Sequence, residues 1–164
     1  SFPTRRSSDL RLWFDYWCPP NGVCMGYAEN SGGFGAPGGF RFMHHLAQPL
    51  IVNWPNPEVV RVSEGYVSFS DPCGFPEKTG DPNEGWTSRA ICEARSDDGV
   101  HWRIAGYLRP DADTAACHVP QALVANLEGR SWLYLFYATQ RGGTPYDYRY
   151  DRIRAMRREL LVAK

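Results

Sequence analysis

Asn56-Pro57-Glu58-Val59-Val60-Arg61-Val62, Gly65-Tyr66-Val67-Ser68-Phe69-Ser70-Asp71 and Arg89-Ala90-Ile91-Cys92-Glu93-Ala94-Arg95 lead into the turn Ser96-Asp97-Asp98-Gly99-Val100-His101-Trp102, and a short run from Arg103 to Leu108 follows. β-Branched and aromatic residues broken by Gly, Pro and Asp make these four runs short antiparallel strands. The plan returns further on. Val119-Pro120-Gln121-Ala122-Leu123-Val124 passes a Glu128-Gly129 turn into Trp132-Leu133-Tyr134-Leu135-Phe136-Tyr137-Ala138, then reaches Tyr150 to Arg154 and stops before a fourth strand. A third copy lies first in the chain without its opening strand: Leu10 to Tyr16 reads as a second strand and Val23 to Ala28 as a third. A recurring unit too small to bury its own faces marks a repeat architecture, and four short strands per unit is the plan of a propeller blade. Corresponding strands recur at roughly 55 to 70 residues, so the blades carry long loops. A generic antiparallel sandwich is the alternative. The repeated x-Pro-Glu/Gln opening favours the propeller.

The expected fold is therefore all-β, a partial propeller over residues 11–164 with blades near 11–45, 56–109 and 118–158, about two and a half blades. Residues 1–10 are polar and aperiodic and are expected to be a non-native or disordered leader. They resemble the translated read-through of a sequencing adapter at the ends of assembled environmental reads. On that reading the natural protein extends upstream.

The 164 residues carry 18 Lys and Arg against 18 Asp and Glu, so charge gives no reason to expect nucleic acid or an anionic membrane as partner. An uncharged partner is expected instead. Aromatic residues make up 14% of the chain, enough to fill sheet cores and leave rings for a ligand face. No apolar run approaches the 18 residues or so of a membrane-spanning helix. Five cysteines, Cys18, Cys24, Cys73, Cys92 and Cys117, form an odd set without CxxC spacing, so neither a disulfide framework nor a zinc site is indicated. One Cys18–Cys24 pair stays open. No metal and no cofactor are expected, and the oligomeric state is not set by the sequence.

Strand alternation assigns loops to ends. The start of an inner strand and the end of a second strand share one rim, while the Asp98-Gly99 turn lies at the other. That rim gathers Asn56 to Glu58, Pro120 to Gln121, Asp15 to Trp17, Asp71 to Pro72 and the residues from Gln140 onward, together with the long Pro- and Gly-rich insertion from Asp71 to Trp86. Functional groups collect where loops collect. Glu58, Asp15 and Asp71 are the candidate catalytic carboxylates; Asn56, Gln121, His118, Trp17, Trp54 and Trp86 are the candidate substrate contacts. Each also has a structural role open to it: Glu58 and Asp71 as turn or strand-end groups, the tryptophans as core anchors, and His44, His45 and His118 as loop packing. Asp15, between Phe14 and Tyr16, is costly unless it sits at a rim or is paired.

The inner-strand openings, the Ser96 to Trp102 turn and the aromatic strand Trp132 to Tyr137 together resemble the five-bladed β-propeller glycoside hydrolases of the arabinanase and β-xylosidase type, over roughly residues 10 to 159. The Ser96-x-Asp98-Gly99-x-x-Trp102 turn is similar to the S-x-D-G-x-x-W turn of five-bladed glycosidases and to a shortened Asp-box of sialidases. The resemblance implies hydrolysis of a glycosidic bond in a neutral oligo- or polysaccharide by carboxylates at the channel mouth, one protonated and one ionised. Such an activity points to an extracellular or periplasmic compartment. The family often opens its first inner strand with Asp-Pro, whereas this chain has Asn56-Pro57, and the place of Glu58 is taken by the neutral Gln121 in the next unit. A non-catalytic carbohydrate-binding or structural propeller is the competing class. From Tyr146 to Arg158 the alternation has strand period, while Arg154 to Lys164 also suits a helix or a frayed end.

Overall fold

Alternating apolar residues drive the described part of the chain into strands: in the computed structural model residues 10–30, 32, 39–44, 48–72, 89–108, 116–140 and 151–160 contain ten strands and no helix. They are β1 (Leu10–Trp17), β2 (Val23–Asn30), β3 (Arg41–His44), β4 (Glu58–Val62), β5 (Gly65–Ser70), β6 (Ile91–Ser96), β7 (Arg103–Leu108), β8 (Ala116–Leu127), β9 (Arg130–Gln140) and β10 (Asp151–Leu160). Every pairing is antiparallel. Sheet 1 has the order β1-β2-β3, sheet 2 the order β4-β5-β6-β7, and sheet 3 the order β8-β9-β10.

The period-two alternation of each strand gives each sheet a rear and a forward face. The forward face of sheet 2 carries Val67, Phe69 and Ile91, which pack on Leu133, Leu135 and Tyr137 from the rear of sheet 3. Cys92 and Ala94, on the rear of sheet 2, pack with Met25 of sheet 1 and with Trp54, with Trp13, Val59 and Trp102 around them. Each fully buried aliphatic or aromatic side chain in these layers contributes about 1.5–3 kcal/mol. The sheets thus stack in one sense, forward face onto rear face. An ion pair crosses between sheets 2 and 3: Arg158 of β10 donates to both oxygens of Glu93 on β6 at 2.7 and 3.0 Å, and Arg95 adds a third bond at 2.8 Å. Burial alone would raise the Glu93 carboxyl, but the two arginines outweigh it and hold it below the usual range.

The turn after β6 is built by its own side chains. Asp98 Oδ1 accepts from the amides of Val100 and His101, each at 2.8 Å, and from Ser96 Oγ at 3.0 Å. Burial works against the ionised form; these bonds outweigh it and hold Asp98 well below the ordinary carboxylate range. Trp102 folds back onto the Gly99 carbonyl at 3.1 Å. Carbonyls of this turn also receive sheet 1: Arg11 Nη1 donates to Asp98 O at 2.7 Å and Trp13 Nε1 to Gly99 O at 2.9 Å. Because Ser96 pairs with Tyr66 near the start of β5, this turn lies at the opposite end of sheet 2 from Asp71.

One expectation needs correction. Arg154 to Leu160 is strand, not helix: β10 pairs with β9 without interruption from Asp151↔Gln140 to Leu160↔Ser131. Its Arg, Met and Leu residues are good helix formers, and the cross-strand partners override that preference. Leu10 opens β1 opposite Asn30, in keeping with the strand read from Leu10 to Tyr16. Cys18 and Cys24, whose pairing the sequence leaves open, are both buried and are not joined in a disulfide.

Candidate functional site

Asp71, the residue just after β5, is completely buried. Among the described residues its carboxylate is met only by donors: Asn56 Nδ2 at 2.8 Å on Oδ1, and Arg89 Nη1 and the Val119 amide, each at 3.0 Å, on Oδ2. Burial pushes this carboxyl up from its ordinary value, opposed by Asn56, Arg89, Val119 and the nearby His118. With three donors and no acceptor against it, the ionised form is the one the surroundings satisfy. Asp71 also helps burial hold the neighbouring Cys92 thiol up at about 12, which keeps that sulfur protonated and unreactive.

A second carboxylate repeats the arrangement one sheet earlier. Asp15 of β1 accepts the Asn56 amide on Oδ2 at 3.2 Å. Asn56 and Val119 occupy the same place in their units, each directly before the proline of x-Pro-Glu/Gln, and both have left-handed backbones, with φ of 47° and 51°. Such a conformation aims the amide of the pre-proline residue at a carboxylate from the sheet behind. It is tolerable for Asn and strained for the β-branched Val. Each joint between sheets is therefore an Asp at the end of one strand reaching forward to an x-Pro amide of the next sheet. Val119→Gly removes a half-exposed side chain and is expected to be neutral or to stabilise by up to about 1 kcal/mol, relief of the strain outweighing the extra freedom of unfolded glycine. Urea unfolding of the pair measures it; a loss of more than about 1 kcal/mol would mean that the side chain, not the amide, holds the joint.

The other expected site residues are distributed around this pair of joints. Glu58 opens β4 on the forward face of sheet 2, half-buried between β4 and β8; burial pushes its carboxyl up, and the Ala122 amide partly offsets that. Gln121 is its equivalent in sheet 3. It pairs with Phe136 on that sheet's forward face, and its Nε2 binds the Pro120 carbonyl at 3.1 Å. The two therefore follow one another around the stack instead of confronting each other. His118 is buried at a bulge in β8, its Nε2 3.4 Å from Asp151 Oδ2. Trp17 ends β1 on the same face as Asp15 and is 68% exposed. Trp54 does not serve as a stacking ring: it is 1% exposed, packed against Met25 and Ala94, with Nε1 on Ser68 Oγ at 3.0 Å. The Ser70 hydroxyl donates to the carbonyl of its neighbour Pro55 at 2.5 Å, so this segment belongs to the core beneath the site. Trp86 and His45 lie outside the described residues, as does the insertion beyond Pro72.

Sequence reading missed Arg89 and the Val119 amide. The parallel between Asn56-Pro57 and Val119-Pro120 was the available signal for the second, whereas a single Arg following a long insertion gives none. Among the described residues no group of three or more His, Cys, Asp or Glu is placed to hold a metal ion, and no helix is long and apolar enough to cross a membrane.

No family model and no curated protein matches the chain. Solved structures do. A Bombyx mori GH32 beta-fructofuranosidase, determined as an alanine variant in complex with sucrose, matches with a TM-score of 0.56 and 15% identity over 90% of this chain. The structure of the same enzyme without that substitution matches with a TM-score of 0.55 and 15% identity over 90%. This chain spans 31% of either enzyme's length. The likeness establishes the fold: the sheets are those of a β-propeller, as found in glycoside hydrolases.

Proposed function

We propose that this chain belongs to a propeller glycoside hydrolase acting on a neutral oligo- or polysaccharide, five-bladed in the manner of the arabinanase and β-xylosidase type. The observation that carries the reading is the convergence, at one end of the stack, of Asp15, Asp71 and Glu58 with the exposed indole of Trp17. Glu58, with its carboxyl raised by burial, suits the protonated acid, and Asp71, bonded by three donors, suits the ionised partner. Trp17 offers a ring face to a sugar, and Asn56 orients Asp15 through its amide and Asp71 through its side chain. The sucrose complex of the structural neighbour supports a carbohydrate as ligand.

Binding is tested on this chain by tryptophan fluorescence against sucrose and arabino-, xylo- and galacto-oligosaccharides. A response lost in Trp17→Ala supports the site, and no response to any sugar removes it. Hydrolysis is a property of the whole protein: there Glu58→Gln is expected to abolish most turnover and leave binding measurable, and unchanged turnover would remove Glu58 from the chemistry. A non-catalytic binding propeller is the second reading. It is favoured by Asp15 and Asp71 both being engaged in joints between sheets, and it predicts binding with no turnover by the whole protein.

Glu58→Gln also carries a stability prediction. A carboxyl raised in the folded state binds its proton more tightly there than in the unfolded chain, so the wild type loses stability as pH rises from the ordinary carboxylate value through the raised one. At pH 8 the variant is expected to be the more stable, by no more than about 1 kcal/mol because solvent screens a half-buried group. The difference disappears below about pH 4, where both forms are neutral. Unfolding midpoints at the two pH values check it.

A further inference from the structure

The turn that joins β1 to β2 holds a pair of residues whose chemistry no strand or joint uses. Asn21 is the chain's only asparagine followed by glycine. It is exposed, and its carboxamide bonds to nothing among the described residues. The turn is closed by other groups: the Asn21 amide donates to Cys18 O at 2.7 Å and the Cys18 amide to Gly22 O at 2.8 Å. The Gly22 N–H is left without an acceptor among the described residues. Gly22 has φ of 75°, and a Cβ built there would meet nothing within 4 Å, so the space around this amide is open. Comparable pairs elsewhere are shut. In Asp98-Gly99 the glycine amide donates to Ser96 Oγ at 2.8 Å, and Asp98 Oδ1 is taken by Ser96, Val100 and His101. After Asn53 the Trp54 amide donates to Val23 O at 2.7 Å, and after Asn56 comes a proline with no N–H to give.

We propose that Asn21-Gly22 is a site of spontaneous covalent modification, at which the asparagine becomes isoaspartate or aspartate through a cyclic imide. Hydroxide takes the Gly22 N–H proton, and the nitrogen attacks Asn21 Cγ. The new N–Cγ bond replaces the bond from Cγ to Nδ2, and the amide nitrogen leaves as ammonia with a proton drawn from water. A second water then opens the five-membered imide. Addition at Cγ gives aspartate, and addition at the main-chain carbonyl gives isoaspartate, whose backbone runs through the former side chain and is longer by one carbon. Nothing is oxidised or reduced. The product carries one negative charge more than the parent, on a turn that follows β1 at the end bearing Asp15 and Trp17. The extra carbon falls inside the loop closed by the Cys18 amide and the Gly22 carbonyl, where it disturbs the Trp17↔Val23 pair.

The modification does not depend on sugar binding and is read by chemistry alone. The folded chain, incubated at neutral and at mildly alkaline pH, is expected to yield a more acidic species on ion exchange, and faster at the higher pH. Peptide fragmentation should place the new acid at position 21, and isoaspartyl methyltransferase should label it. Asn21→Gln is expected to remove the species entirely, and Gly22→Ala to slow its appearance; circular dichroism confirms that both variants keep their strands. A folded chain that stays unmodified at position 21 while the urea-unfolded chain converts there overturns the proposal, because the turn then protects the pair. Aspartate at position 21 with no isoaspartate also overturns it, since direct hydrolysis needs neither the Gly22 amide nor the ring. So does isoaspartate appearing at Asp98 before position 21, since the bonded glycine amide would then react ahead of the free one.

Discussion

Asp71→Ala is expected to lower stability by about 3–5 kcal/mol, the usual cost of taking one partner from a buried ion pair. The substitution strips Asn56, Arg89 and the Val119 amide of a shared acceptor at once. At about 2–4 °C per kcal/mol for a domain of this size, the unfolding midpoint is expected to fall by roughly 6–20 °C. Asp71→Asn keeps the shape but turns an amide donor toward other donors, so it is expected to lose most of the same stability. Asp15→Ala removes one exposed bond to the Asn56 amide and is expected to cost about 1 kcal/mol. Differential scanning calorimetry of the three variants orders them. An Asp71 variant no worse than the Asp15 variant would show that the buried carboxylate is not the hub of the joint.

Gly65→Ala is the second large expected effect. Gly65 has φ of 122°, a backbone conformation open to little besides glycine, and a Cβ there would lie 2.3 Å from the Ser96 carbonyl oxygen and 2.9 Å from Asp97 Cα. Both neighbours are backbone, so no rotamer change relieves the clash. The β4-β5 hairpin would have to part from β6 at the Tyr66↔Ser96 pair, next to the Asp98 turn that receives Arg11 and Trp13. A loss of about 3 kcal/mol or more is expected, measured by urea unfolding, with the change falling in the midpoint and not in the slope. Gly129→Ala is the control: it too has a positive φ, of 75°, but open space around it, and is expected to cost only about 1 kcal/mol.

Much of the fold was legible in the chain because its repeats carry local chemistry. The x-Pro-Glu/Gln openings, the Asp98-Gly99 turn and the aromatic second strands each act within a few residues, and each lies where alternation places it. The end of the chain was harder to read, because Arg154 to Leu160 has the composition of a helix and only its pairing with β9 decides otherwise. The site was partly legible. Strand direction brings Asp15, Asn56 and Asp71 to one end, but the burial of Trp54 depends on Met25, Cys92 and Ala94, residues distant in sequence. The role of Asp71 depends on a backbone amide, and amides leave no mark in a list of side chains. Only the strained Val119, read beside Asn56 in the same pre-proline place, reveals that the carboxylate serves a joint.

That joint has a mechanical consequence. The place of Asp71 in sheet 2 is held in sheet 3 by Ala138, two residues beyond Phe136 as Asp71 is two beyond Phe69. Under a pulling force sheets 2 and 3 can part only by drawing the Val119 amide off the buried Asp71 carboxylate, which Asn56 and Arg89 hold from the side of sheet 2, whereas the forward face of sheet 3 has no such latch. The stack is consequently riveted on one side and hinged on the other, and under load it should open first at the hinge.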